Sequence, residues 1–251
     1  MSDIDAPRLV RQPAAARART ERSFPRFTLA QRWEHGILIL SFTVLLLTGL
    51  PQKYFEAWGH FLLTTPESLL WVRRIHHIAA VVLVLEVVFH LGRALVLLLQ
   101  RRLSAEIFPT WNDVRDAWQM LLYLLLLRRD KPAFGKYNFE QKFTYWFLFL
   151  AIGIMVVTGI ILWFPLTATL LLPGGIIPAA QLAHSNEAIV AAIFILIWHF
   201  YHVHFERLNI SIFTGRLNET DMRAYHALEH QRLTGEPAAG EDETPGRGEA
   251  A

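Results

Sequence analysis

The chain has 251 residues, of which 53% are hydrophobic, with 17 Phe and 8 Trp, and its formal net charge is only +2. This composition is too apolar for an ordinary soluble domain and is typical of a membrane protein with polar ends. The chain has no cysteine, which excludes covalently attached c-type haem, thiolate zinc sites and iron–sulfur clusters ligated by its own residues.

Four segments are long and apolar enough to cross a bilayer, which takes about 20 helical residues. We number them spans I to IV, and prolines end the first and the third. The predicted spans run from about Trp33 to Leu50, Trp71 to Leu99, Phe143 to Phe164 and Ala183 to Phe205. The sequence therefore predicts an all-α, integral membrane four-helix bundle.

The segment Thr110–Leu127, between spans II and III, predicts an additional helix. Thr110 is a suitable N-cap followed by an acidic first turn, and charged residues interrupt the first half of the segment. A helix of this kind lies in the membrane interface rather than across the bilayer. We therefore expect one interfacial helix beside the four spans.

Basic residues are distributed unevenly around the spans, which predicts the orientation because basic loops stay in the cytoplasm. Seven arginines precede span I and eight basic residues lie between spans II and III, whereas the III–IV connection has none. Only Lys53, Arg73 and Arg74 flank the I–II connection. We expect a multi-pass protein of the cytoplasmic (inner) membrane with both termini in the cytoplasm.

The expected division of the chain is a basic cytoplasmic arm at 1–26, a transmembrane domain at 27–217 and a cytoplasmic tail at 218–251. The Arg-rich arm lacks the apolar region and cleavage site of a signal peptide, so we interpret it as cytoplasmic. The tail is rich in Gly, Pro, Ala and Glu from about residue 235, which predicts disorder there.

Ionisable residues are costly inside membrane spans. Five of the eleven histidines lie in or at the ends of predicted spans in positions that can be compared geometrically: His35, His76, His90, His184 and His199. On span II, His76 and His90 are 14 residues apart, about 21 Å along a helix. On span IV, His184 and His199 are 15 residues apart, about 22 Å. One metal ion cannot bridge such distances, since its ligands lie about 2 Å away. Two stacked haems with axial imidazoles can.

The spacing predicts an outer level that holds His76 and His184, and an inner level that holds His199 with either His90 or His35. A lone buried histidine is more often a polar residue satisfied by a neighbour, but the repeated spacing on two helices favours haem ligation. We expect the remaining six histidines to be structural or surface residues and not haem ligands, although His202 and His204 are also candidates to line a quinone pocket. Four arginines within about a turn of candidate ligands could pair with haem propionates: Arg32, Arg73, Arg74 and Arg93.

A short sequence motif is repeated in the two helical hairpins: Thr48-Gly49 lies at the end of span I, and Thr158-Gly159 lies at the end of span III. This predicts that hairpins I–II and III–IV arose by duplication. The two glycines could let a flat haem approach the backbone, although small residues also favour ordinary helix packing.

At this point the sequence resembles the di-haem cytochrome b (gamma) subunits of membrane-bound formate dehydrogenases, with their thiosulfate-reductase and hydrogenase relatives, over roughly residues 27 to 217. The most specific match precedes span III, where the family's G-K-Y-N-x-x-Q-K string corresponds to residues 135–142, followed by Trp146. Span I begins like the family's R-x-x-H at Arg32–His35, and span II like its R-I-x-H at Arg74–His77. Span IV matches through His184 and the His199-Phe200-Tyr201 run.

The resemblance implies two haem b groups, with His35 and His199 on the inner haem and the span II histidine with His184 on the outer one. It also implies a menaquinone or ubiquinone pocket beside the inner haem, lined by Asn138 and Gln141, although the same segment could simply cap span III. The family's span IV histidines are 14 residues apart, so the gap of 15 here predicts a bulge or a register shift. His76 is favoured over His77, and His35 over His90, with both alternatives left open.

The leading hypothesis is a membrane anchor that carries electrons between an outer-face partner, either an iron–sulfur or a multihaem cytochrome subunit, and the quinone pool. Two imidazoles per iron leave no open site, so we expect no catalysis at the haems and no independent enzyme activity beyond quinone redox chemistry. Lipid and quinone are the other expected partners, without nucleic acid. One alternative is quinol oxidation with electrons sent outward to a multihaem cytochrome. Another is an ion transporter that uses the pairs Glu187–His184 and Glu86–His90, and a third is a structural anchor without haem.

Overall fold

A computed structural model of the chain describes residues 22–102, 105–130, 132–205 and 208–236. The predicted basic arm lies outside these residues up to position 21, and so does the predicted disordered tail from position 237 onward.

Four long helices form the body of the molecule, and each is long and apolar enough to cross a membrane. The first three are α1 (Leu29–Lys53), α3 (Pro66–Leu99) and α5 (Phe139–Trp163). The fourth begins as α7 (Ile176–Phe194) and continues through the π-helical stretches Ile195–His199 and Tyr201–Phe205. The predicted all-α fold with four spans is confirmed. The first three helices begin several residues before the predicted apolar runs because polar caps at Thr28, Thr65 and Asn138 start them, whereas the fourth follows Gly175 without a side-chain cap.

Shorter elements complete the described chain. They are β1 (Ser23–Pro25), a π-helical turn (Phe55–Gly59), α2 (His60–Leu62), a 3-10 turn (Ala105–Ile107), α4 (Trp111–Leu124), α6 (Pro165–Leu171), α8 (Ser211–Thr214), β2 (Arg216–Asn218), α9 (Glu219–Tyr225) and α10 (Ala227–Thr234). The two strands pair antiparallel, with Phe24 opposite Leu217.

The four long helices are arranged as two antiparallel hairpins. Helix α1 packs mainly against α3, and α5 packs mainly against α7, with a smaller contact between α1 and α7. Large apolar side chains on all four helices are exposed, for example Leu40, Leu85, Leu150 and Ile197. This surface is suited to lipid, because the hydrocarbon of a bilayer is as apolar as these side chains.

The predicted additional helix is present as α4 and is capped as expected. Thr110 and Asp113 form a reciprocal capping box, and Lys142 of α5 binds the Asp113 carboxylate at 2.8 Å. Five apolar side chains at intervals of three or four residues share an exposed face of the segment: Trp111, Val114, Trp118, Leu121 and Leu125. Such a face with two tryptophans suits a membrane interface, where the position of α4 stays a prediction.

The chain after α7 folds back onto the start of α5 and forms a compact unit, which we call the terminal cap (β1, β2, α8–α10 and residues 132–138). Its centre holds the best-buried side chains of the described residues, Met222 and His226. The His226 ring bonds to the Gly135 carbonyl through Nδ1 at 2.8 Å, and the Leu228 amide donates to the Phe134 carbonyl at 3.1 Å. The part of the predicted tail up to residue 234 is therefore largely ordered secondary structure packed on the bundle.

Candidate haem sites

Two histidines from different hairpins face each other near the far end of the bundle from the terminal cap. The ring centroids of His76 on α3 and His184 on α7 are 6.4 Å apart. We call them the outer pair, as in the sequence-based prediction.

Each ring of the outer pair is held by a threonine from the neighbouring helix of its own hairpin. The Thr48 hydroxyl lies 2.9 Å from His76 Nδ1, and the Thr158 hydroxyl lies 3.0 Å from His184 Nδ1. Each hydroxyl also donates its proton to a carbonyl one turn back in its own helix, Val44 or Ile154, at 2.7 Å. Because a hydroxyl has one proton, its oxygen accepts the Nδ1–H of the histidine, which leaves Nε2 as the free lone pair.

Glycine follows each threonine and sits directly against the ring that the threonine holds. A Cβ on Gly49 would lie 3.4 Å from Cε1 of His76, and one on Gly159 would lie 3.3 Å from Cε1 of His184. The missing side chains therefore allow each imidazole to approach the backbone of the neighbouring helix. The repeated Thr-Gly motif is therefore explained by these histidine contacts. It does not end the helices, because both pairs lie inside continuous helix.

A second pair lies toward the end of the bundle nearer the terminal cap. The ring centroids of His35 on α1 and His199, in the π-helical continuation of α7, are 6.3 Å apart, and we call these residues the inner pair. The predicted bulge between His184 and His199 is confirmed, because the stretch Ile195–His199 is π-helical. A π turn accommodates one extra residue. His199 therefore lies on the same helix face that it would occupy if it followed His184 by 14 residues.

Both separations fit two imidazoles on opposite sides of one metal ion. Imidazole nitrogens bind metals at about 2.0–2.1 Å. A five-membered ring with bonds of about 1.33 Å has its centre about 1.1 Å from each atom. Two rings on a common axis through an iron should therefore have centroids about 6.2–6.4 Å apart. The outer and inner pairs meet this expectation, and the residues present fit bis-imidazole haem.

His90 has a different environment, although it lies at the depth of the inner pair. Its Nδ1 is 3.1 Å from the Glu34 carboxylate and its Nε2 is 3.1 Å from the Tyr145 hydroxyl. Arg93 binds both oxygens of the same carboxylate, with Nη2 at 2.7 Å. Both ring nitrogens of His90 are thus engaged, and the structure brings His199 together with His35 instead.

A family model for prokaryotic cytochrome b561 matches residues 26–215 of the chain. The chain belongs to this family. It is a cytochrome b561-type, di-haem electron-transfer subunit of the membrane, and members of the family typically bind two haem b groups. Among curated proteins, none matches the chain. The predicted relationship is confirmed at the level of this family, which takes in hydrogenase-type cytochromes b, and the formate dehydrogenase relationship stays a prediction.

In this cytochrome, the two histidines at the start of α3 have separate contacts. His76 faces His184, whereas the His77 ring stacks on Trp163 with centroids 4.0 Å apart and planes 19° apart. The geometry places the first of the two adjacent imidazoles, and not the second, opposite a partner histidine.

The four arginines predicted to bind propionates have varied surroundings. Arg93 is committed to Glu34, and Arg74 lies over the Trp71 ring at 5.2 Å. Arg32 donates to the Phe213 carbonyl, while its buried Nε has no hydrogen-bond partner among the described residues. Arg73 is exposed. Arg32 and Arg73 therefore retain donors for an anionic group more readily than Arg93 does.

Asn138 and Gln141 form the N-terminal capping box of α5. The Asn138 side chain accepts from the Gln141 amide at 2.8 Å, and the Gln141 side chain accepts from the Asn138 amide and from Arg26. The capping interpretation of this segment is thus confirmed, and a role in quinone binding stays a prediction. Nδ2 of Asn138 donates to Glu140, whose carboxylate lies 3.9 Å from Nε2 of His202.

The contacts made by four residues were not predicted from the sequence: Thr48, Thr158, Glu34 and Tyr145. The repeated Thr-Gly pair was the available signal for the first two, and it was interpreted only as a closing motif and a haem cradle. Glu34 was a charge within a predicted span, which by itself indicates a buried partner. Nothing in the sequence pattern singles out Tyr145, because aromatic residues crowd the start of α5.

Proposed function

We propose that the outer pair, His76 and His184, ligates one haem b and the inner pair, His35 and His199, ligates the other. The observation that carries this proposal is the matching separation of the two pairs, 6.4 Å and 6.3 Å, across two hairpins. The fourth long helix supplies one ligand to each level, His184 from α7 and His199 from its π-helical continuation, while α3 and α1 supply the other ligands. The roughly 20 Å rise between levels allows both haems inside one bundle.

The bound haems would supply a one-electron carrier at each level, and the protein residues would fix their ligands and shield them from water. The outer rings are oriented by Thr48 and Thr158, and Gly49 and Gly159 leave room beside them. The Glu34–Arg93 pair and His90 supply a charged, hydrogen-bonded wall near the inner pair. Two imidazoles per iron leave no position for a substrate, so the haems would only exchange electrons.

The proposed orientation places the terminal cap and α4 in the cytoplasm and the outer pair toward the opposite face. The uneven distribution of basic residues supports it, since eight lie between spans II and III and none between spans III and IV. The exposed tryptophans of α4 fit the cytoplasmic interface of the same arrangement.

The proposed electron path runs between an outer-face redox partner, the outer haem, the inner haem and a quinone at the cytoplasmic side. The match to the G-K-Y-N-x-x-Q-K string supports a formate dehydrogenase-type subunit, with an iron–sulfur protein as the outer partner. Asn138 and Gln141 lie at the cap-facing end of α5, as a cytoplasmic quinone pocket requires, and the quinone would be menaquinone or ubiquinone.

A dithionite-reduced minus oxidised spectrum of the purified full chain, with a pyridine haemochrome count, tests the proposal. Two b-type haems per chain, reducible by a short-chain quinol, are the expected result. A folded, membrane-inserted preparation without haem would overturn the assignment. Reduction by dithionite but not by menaquinol or ubiquinol analogues would preserve the haem sites and reject the quinone step.

A further inference from the structure

The most regular feature of the bundle is the environment of the outer pair. In each hairpin, a threonine on the first helix holds a histidine on the second, and a glycine next to that threonine touches the same ring. The two arrangements meet at the 6.4 Å contact between the rings. The outer level is thus built from two copies of one local structure.

We propose that Thr48 and Thr158 are positioning residues that direct Nε2 of each outer histidine toward the iron and lower the midpoint potential of the outer haem. This inference rests on the proposed ligation by His76 and His184. It goes beyond that proposal because it assigns the two threonines a separate and measurable effect on one haem.

The hydrogen-bond geometry fixes the direction of the donated proton. Thr48 gives its proton to the Val44 carbonyl at 2.7 Å, so its oxygen accepts from Nδ1 of His76 at 2.9 Å. Thr158 repeats this arrangement with the Ile154 carbonyl and His184, at 2.7 Å and 3.0 Å. Only the tautomer with Nδ1–H satisfies both bonds, and that tautomer presents the Nε2 lone pair to a metal.

A hydrogen bond from the distal N–H of a ligating histidine raises the basicity of the ligand nitrogen. A more basic imidazole donates more electron density to iron and stabilises the ferric state relative to the ferrous state. Two such bonds on one haem act in the same direction. The outer haem therefore has a lower potential than it would have with free imidazoles.

The inner pair has no equivalent support. Within the described ranges, neither His35 nor His199 hydrogen-bonds to a side chain or a carbonyl through its ring. The threonines consequently act on one level only and lower the outer potential relative to the inner one. This difference favours electron movement from the outer level to the inner level.

The test replaces each threonine by valine, which has the same shape without the hydroxyl, and by serine, which keeps it. Potentiometric titration of the purified holoprotein gives the two midpoint potentials, and low-temperature EPR of the ferric state gives the ligand field of each haem. The outer signal is assigned in a His35→Ala background that lacks the inner haem. Ser41→Ala is the matched control, because among the described residues the buried Ser41 hydroxyl of α1 bonds only to carbonyls of its own helix, at 2.8 Å and 3.2 Å.

We expect each valine variant to raise the outer potential, the double variant to raise it further, and the inner potential to stay unchanged. The serine variants, which keep the hydroxyl, should have the outer midpoint potential of the wild type, and Ser41→Ala should leave both midpoint potentials unaltered. A double valine variant that keeps two haems with an unchanged outer potential, or that shifts both haems equally, would overturn the inference. If the double variant loses the outer haem, the single variants decide, because each retains one bonded histidine. Absence of haem from the wild-type protein would reject the ligand assignment itself, which is a different result.

Discussion

Tyr145 on α5 corresponds in position to His35 on α1. Tyr145 precedes Thr158 by the same number of residues as His35 precedes Thr48, and each of these threonines holds an outer histidine. The ring centroids of Tyr145 and His90 are 6.2 Å apart, close to the 6.3 Å between His35 and His199. The two hairpins therefore present matching pairs at the inner level. One pair offers two imidazoles, and the other offers an imidazole and a phenol joined by a hydrogen bond of 3.1 Å.

The first prediction separates the two candidates for the inner ligand. His35→Ala should reduce the haem content from two per chain to one, because it removes one of two facing imidazoles. His90→Ala should keep two haems and cost about 1–3 kcal/mol of stability, since it removes the hydrogen-bond partner of the Tyr145 hydroxyl and one of the partners of Glu34, which keeps Arg93. Pyridine haemochrome counts and thermal unfolding of both variants check this. Loss of a haem from His90→Ala with retention in His35→Ala would reverse the assignment.

The second prediction concerns the adjacent histidines on α3. His76→Ala should abolish the outer haem, whereas His77→Ala should keep it and lose only the stacking contact with Trp163, worth about 0.5–1.5 kcal/mol. The spectrum of the remaining haem in His76→Ala should match the inner haem of the wild type. An intact outer haem in His76→Ala would show that the chain shifts register to use His77.

The four spans could be predicted because long apolar runs are a local signal, but the helices begin several residues before those runs. His35 and His90 could not be separated by spacing, because both lie at similar depth on antiparallel helices. The choice depends on which side chains surround each ring. The buried Glu34 and the Tyr145 hydroxyl reach His90 from two other helices, α1 and α5. The folded part of the tail was not predicted, because it depends on contacts between residues far apart in the sequence: the Phe24 ring lies against the His230 ring, and the Leu228 amide donates to the Phe134 carbonyl.

The third prediction concerns the buried ion pair beside His90. Glu34→Gln leaves the Arg93 guanidinium without its charged partner and should destabilise the protein by about 3 kcal/mol. A double variant, Glu34→Gln with Arg93→Met, should recover much of this loss because no unpaired charge remains buried. Thermal unfolding followed by circular dichroism measures both variants. A double variant less stable than Glu34→Gln alone would contradict the ion-pair explanation.

The fourth prediction uses two carboxylates of α4 whose pKa values shift in opposite directions. Burial tends to raise the pKa of Asp113, but hydrogen bonds from Lys142 and Thr110 outweigh it and hold the pKa below its usual value. Burial raises the pKa of Asp116, and the nearby Asp113 charge adds to this effect. Asp113 therefore stabilises the fold above its unfolded pKa of about 3.9, and this contribution disappears as pH falls through the lower folded pKa. The Asp116 charge is destabilising at neutral pH, and this cost disappears as pH falls through its raised pKa.

Asp113→Asn should accordingly lower stability by about 2 kcal/mol at pH 7, with the difference shrinking below about pH 4. Asparagine keeps an oxygen for the cap, so the loss reports mainly the Lys142 contact. Asp116→Asn is the matched control and should leave stability equal or slightly higher at pH 7. Unfolding temperatures of both variants between pH 3 and pH 7 measure the two profiles, and parallel profiles would contradict the opposite signs.

The fifth prediction distinguishes the two roles of Asn138. Serine also caps helices well, so Asn138→Ser should keep α5 intact while removing the amide that would donate to a quinone carbonyl. The proposed quinone site predicts slower haem reduction by a quinol analogue, with reduction by dithionite and the unfolding temperature unchanged. Asn218→Ser is the matched control, because Asn218 caps α9 through a similar 2.8 Å bond to the Asp221 amide and lies in the terminal cap. Unchanged quinol kinetics in Asn138→Ser would leave Asn138 as a helix cap alone, and the quinone pocket would then have to be sought among other side chains near the inner pair.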